Sequence, residues 1–91
     1  MTIEQHTQDE ISMLRAELEI LMSERQALLR TTGAAAVFVA NLDSESLPET
    51  TYAVADILAH SLNELSEDTL RDALELVRPA IEAANGAVKE Q

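Results

Sequence analysis

His60 is the residue with the most obvious chemical potential. Asp56 and Glu64 stand four positions to either side of it, a spacing that stacks all three on one helix face. Such a stripe can tune an imidazole or present ligands to a metal ion. Working metal sites draw ligands from more than one element, so a solvated polar stripe is the better reading. His6 falls in an end expected to fray. Ser12, Ser23 and Ser61 lack the partner constellation that activates a hydroxyl, and no Gly-rich phosphate loop occurs. Asp9–Glu10 and Glu67–Asp68 are adjacent pairs; neighbouring residues point in different directions and suit helix starts better than acid–base work. With no cysteine, thiolate ligands, disulfides and a cysteine nucleophile are excluded. No catalytic, cofactor-binding or metal-binding residue is therefore assigned, and a non-enzymatic role is expected.

The 91 residues suit one small domain, or a domain with an arm. Seventeen acids against six Lys and Arg give a net charge of −11, which repels nucleic acid and anionic membranes and attracts basic partners. Residues 1–30 carry −3 of this and residues 31–91 carry −8. The apolar share is 46%, too high for a wholly disordered chain. Fourteen of those residues are Ala, and Phe38 and Tyr52 are the only aromatics. Small side chains fill a core only if helices approach closely, so an all-α bundle is expected rather than a sandwich or barrel. The longest apolar run, 33–40, is far too short for a membrane span. The opening MTIEQHTQDE shows no basic segment followed by an apolar one. A cytoplasmic protein is the expectation.

The dominant pattern lies between Gln8 and Arg30. Ile11, Leu14, Leu18, Leu21 and Leu28 recur at alternating steps of three and four, with Arg25 in the slot that breaks the series. With Ile11 at heptad position a, these fall on a, d, a, d, a and d, a coiled-coil seam. Met13, Ile20, Met22 and Leu29 widen the apolar face beyond that seam. Arg25 is expected to reach along its stem to water or to a partner's carboxylate. Residues 1–7 are expected to fray, and residues 8–42 to form a long helical arm, either continuous through Gly33 or set off by a kink there. Ser46 with Glu49 reads as a capping box, with Pro48 in the first turn. The helix it opens places Leu47, Val54, Leu58, Leu62 and Leu65 on one side, with Ile57 beside them. Ser66 caps the last helix, whose stripe is Leu70, Leu74, Val77 and Ile81. Pro79 is expected to bend it, and Asn85-Gly86 to end it. Residues 46–86 thus read as an antiparallel helical pair, and 87–91 as a loose end.

A projecting first helix leaves about 60 residues to support themselves with few large side chains, which is marginal. It also exposes a broad apolar face, which soluble monomers avoid. A second copy resolves both, so a homodimer through Ile11, Leu14, Leu18, Leu21, Arg25 and Leu28 is expected. The competing arrangement folds the same stripe onto its own chain as a bundle face. Glu10 at g facing Arg15 at e hints at a parallel pair. Two functional classes follow. One is an assembly or regulatory module working through protein–protein contacts. The other is an acidic inhibitor, of the phage or mobile-element kind, that occupies a basic nucleic-acid-binding site. Its surface would be Asp43, Glu45, Glu49, Asp56, Glu64, Glu67, Asp68, Asp72, Glu75 and Glu82.

Overall fold

Thr2 starts the first helix. Its hydroxyl accepts from the Gln5 amide at 3.2 Å, and the Gln5 side chain accepts from the Thr2 amide at 3.1 Å. This reciprocal capping satisfies two amides that a helix start leaves open. The computed structural model describes residues 2–89, and its first helix, α1, spans Ile3–Ala40. Residues 3–7, expected to fray, are its first turns.

Helix α1 runs unbroken through Gly33, the continuous one of the two expected arrangements. Thr31 and Thr32 return their hydroxyls to the carbonyls of Ala27 and Leu28 at 3.0 and 2.8 Å, so these β-branched residues sit satisfied within the helix. Val37-Phe38-Val39 continues the helix, having no strand to pair with. Asn41 closes it, its side-chain amide donating to the Val37 carbonyl at 2.8 Å. At 1.5 Å per residue these 38 residues make a rod of about 57 Å.

A 3-10 turn, Ser44–Ser46, leads to α2, Glu49–Asn63. The expected Ser46–Glu49 capping box does not form. That box needs Leu47 to be helical, but a residue preceding proline is driven to extended geometry. Leu47 sits at φ −80°, ψ 140°, and Pro48 itself takes the cap position at φ −57°, ψ 150°. The Ser46 hydroxyl turns back to donate to the Asp43 carbonyl at 3.0 Å. Helix α3, Glu67–Lys89, does start at Ser66 as expected, the Thr69 amide donating to the Ser66 hydroxyl at 3.1 Å. It runs on through Pro79, which is exposed, and through Asn85-Gly86. No described glycine takes a positive φ, so the left-handed stop expected there is absent. Of the end expected to be loose, residues 87–89 belong to this helix, and 90–91 lie outside the described residues.

Among the described residues the protein is thus all-α, with three α-helices and no strand. Both later helices pack on α1 rather than forming a pair of their own. Helix α2 descends along it. Val39 and Leu42 share a cleft with Tyr52 and Ala55, while Thr32 and Ala35 share one with Leu58, Leu62 and Leu65. Helix α3 rises alongside, from Arg25 opposite Asp72 to Val37 beside Val77 and Ile81. The buried centre is small: Leu29, Gly33, Ala73 and Val77. At Gly33 the helices come so close that a Cβ would stand 2.8 Å from the Ala73 carbonyl carbon and 2.9 Å from Val77 Cγ1. Ala73 and Gly33 supply the close approach that an Ala-rich composition demands.

Candidate interaction surface

Only the upper half of α1 is covered. Below residue 25 the rod projects, giving overall dimensions of 67 × 35 × 22 Å and a radius of gyration of 19.8 Å. A compact chain of this length would have about 12 Å. The exposed surface is 7658 Å², against about 5,200 Å² for a compact monomer of the same mass. The excess, about 2,400 Å², exceeds the roughly 800 Å² that each partner contributes to a standard interface.

The projecting part carries four of the five apolar heptad residues, and Leu28 continues their stripe just above it. Ile11, Leu14, Leu18, Leu21 and Leu28 are 49–65% exposed, and Met13, Ile20 and Met22 flank them in the same state. The pattern has a physical source. Leu and Ile at steps of three and four produce a continuous stripe on a helix, but α2 and α3 together reach no lower than the turns around Arg25. Leu29 and Leu28 show the boundary. Leu29 is buried against α3, while Leu28, one residue earlier and about 100° around the helix, stays open.

Arg25 differs from its apolar neighbours. Its guanidinium lies 3.6 Å from the Asp72 carboxylate on α3, both side chains more than half exposed. The carboxylate it reaches belongs to its own chain, where a partner's or water was expected. A further apolar flank was hidden from sequence reading. Val54 and Ile57 of α2, placed on or beside the expected buried stripe, are both 65% exposed, because α2 turns Ala55, Leu58, Ala59 and Leu62 toward α1. Phe38 and Tyr52, the two aromatics, are also exposed. The small Ala55 and Ala59 let α2 lie close to α1, a preference that the larger apolar residues disguised.

All ten candidate acids are exposed. They are spread over the turn after α1, over α2 and along α3, with basic groups between them: Arg71 stands 3.4 Å from Asp68, and Arg25 beside Asp72. His60 donates from Nδ1 to the Asp56 carbonyl at 2.8 Å, with the Asp56 carboxylate 3.7 Å away. That hydrogen bond first, and then the Asp56 charge, raise its pKa above the usual histidine value, with Glu64 adding a smaller push and burial opposing slightly. Among the described residues no three His, Asp or Glu side chains converge on a point that could hold a metal ion. No described helix is long and apolar enough to cross a membrane. No protein-family model, curated protein or solved structure matches the chain.

Proposed function

We propose that this protein is a non-enzymatic interaction module that self-associates through the projecting half of α1 and works in the cytoplasm as an assembly or regulatory element. The observation that carries this reading is the bare heptad stripe: five Leu and Ile side chains, each about half or more exposed, on a rod that its own chain leaves uncovered. Apolar surface of this extent is unfavourable in water at about 25 cal/mol per Å², and soluble monomers avoid it. Packing against a second copy removes it. The expected Arg25 contact is then internal, with the guanidinium held beside Asp72 at the edge of the stripe.

Light scattering at several concentrations tests the reading. The protein is expected to run at twice its chain mass, and the Leu18→Asp, Leu21→Asp double variant at the mass of one chain. Both residues are exposed in the single chain, so the substitutions should leave its helices intact, which far-ultraviolet circular dichroism would verify. Dimers from the double variant would overturn the interface.

A second reading rests on a different observation, the exposure of all ten candidate acids in a chain of net charge −11. An inhibitor occupying a basic nucleic-acid-binding site would use that surface. Its binding would weaken steeply with salt, because screening acts over about 8–10 Å at physiological ionic strength. Binding to such a basic partner that survives 0.5 M salt would speak for the apolar stripe instead.

A further inference from the structure

The heptad stripe does not end at Leu28. Continued in register, it passes through Thr32 at a, Ala35 at d, Val39 at a and Leu42 at d. These are the residues that share clefts with α2, and all four are half-buried. One stripe therefore has two fates along one unbroken helix. Above residue 31 it is occupied by α2, which runs antiparallel to α1. Below that it is bare.

From this we infer that the second copy lies antiparallel, its arm continuing the line of α2 along the stripe. This inference rests on the self-association proposed above. In a parallel, in-register pair the two α1 helices would run on side by side past residue 28. Each α2 stands on the face that would meet the other copy. The rods would have to part by the width of two helices, each about 10 Å across, and α1 has no break at Gly33 or elsewhere to let them diverge. An antiparallel partner meets no such obstacle. When Leu14 packs against Leu18 of the other copy and Ile11 against Leu21, position a faces position d at each layer. The partner's Thr7 and the partner's Glu4 then fall level with Arg25 and Leu28, short of the α2 end, and Ile11, Leu14, Leu18 and Leu21 of both copies are covered.

Charge supports the same orientation. Residues 31–91 hold −8 of the −11. A parallel pair sets these two acidic ends against each other. An antiparallel pair puts the full arm length between them, several times the Debye length of about 8 Å. The Glu10–Arg15 attraction of a parallel pair is one exposed contact per chain and is outweighed.

The chain has no cysteine, so introduced thiols report orientation cleanly. A disulfide needs Cβ atoms about 3.5–4.5 Å apart. Leu14→Cys and Leu18→Cys are each expected to stay uncrosslinked alone under mild oxidation, and to crosslink when the two variants are mixed. Spin labels on Gln8→Cys, an exposed site, give a second reading by pulsed electron resonance. The antiparallel pair separates them by 16 residues of helix, about 24 Å along the axis, whereas a parallel pair holds them within about 15 Å, a helix separation plus label reach. Self-crosslinking of Leu14→Cys, or a label distance under 15 Å, in a protein of dimeric mass overturns the orientation and leaves self-association standing. A single-chain mass removes both.

Discussion

Replacing Gly33 by Ala separates two roles for this glycine. In an isolated helix the change is favourable by about 0.8–1.0 kcal/mol. Here the added methyl meets the Ala73 carbonyl oxygen, lies 2.8 Å from the carbonyl carbon and 2.9 Å from Val77 Cγ1. Two of those three atoms are backbone, which has no rotamer to escape into. Relief requires α3 to lift away from α1, which loosens Leu29, Ala73 and Val77, the buried centre. Overpacking typically costs about 1–3 kcal/mol, and backbone obstruction places this case in the upper part. Net destabilisation is then about 1–2 kcal/mol. In a domain of this size each kcal/mol moves Tm by about 4–8 °C, so a fall of about 5–15 °C is expected. Gly86 is the internal control. It is also helical, and a Cβ there meets nothing within 4 Å, so Gly86→Ala should hold or raise Tm through a gain of about 0.4–1 kcal/mol. Thermal unfolding followed by circular dichroism, at one fixed protein concentration because association shifts Tm, reads both. A rise for Gly33→Ala comparable to that for Gly86→Ala would refute the close crossing.

Thr2→Ala should remove the capping box and cost the first turns about 0.5–2 kcal/mol; amide exchange at residues 3–7 should quicken while residues 25–37 stay protected. Arg25→Ala and Asp72→Ala should each cost under about 1 kcal/mol, since the pair is more than half exposed, and a double-mutant cycle in urea should show coupling that fades in 0.5 M salt. For His60 the folded state raises the pKa, so protonation favours folding. That contribution is fully present below the unfolded value of about 6.5 and is lost as pH rises through the higher folded value. An NMR titration should find His60 above the ordinary value, and Asp56→Asn, which removes the charge but keeps the backbone carbonyl, should return it only part of the way.

Much of the local structure is written in short spacings. Ser66 caps α3 through Thr69 because a hydroxyl three residues ahead of an amide reaches it. The same rule applies at Thr2-Ile3-Glu4-Gln5, a Thr followed three residues later by Gln, a signal masked by the polar stretch around it. Ser46 carries the signal and does not use it, since Pro48 disfavours the helical Leu47 it requires. The interface candidates Ile11 to Leu28 were legible from periodicity, and they share one bare face. Val54, on the expected stripe, and Ile57, beside it, stay exposed because periodicity records which residues are apolar, whereas close packing prefers Ala55 and Ala59.

The sequence alone determined an all-α chain, its helix-forming segments, the heptad stripe and the acidic bias, because these depend on residues within one or two turns of each other. Tertiary structure decided that Gly33 is a crossing point rather than a kink. It also decided that Arg25 finds Asp72, and that α2 covers the stripe only above residue 31. Those outcomes depend on which helices approach and how closely. A glycine, an arginine or a leucine has the same local propensity whether or not another helix lies against it.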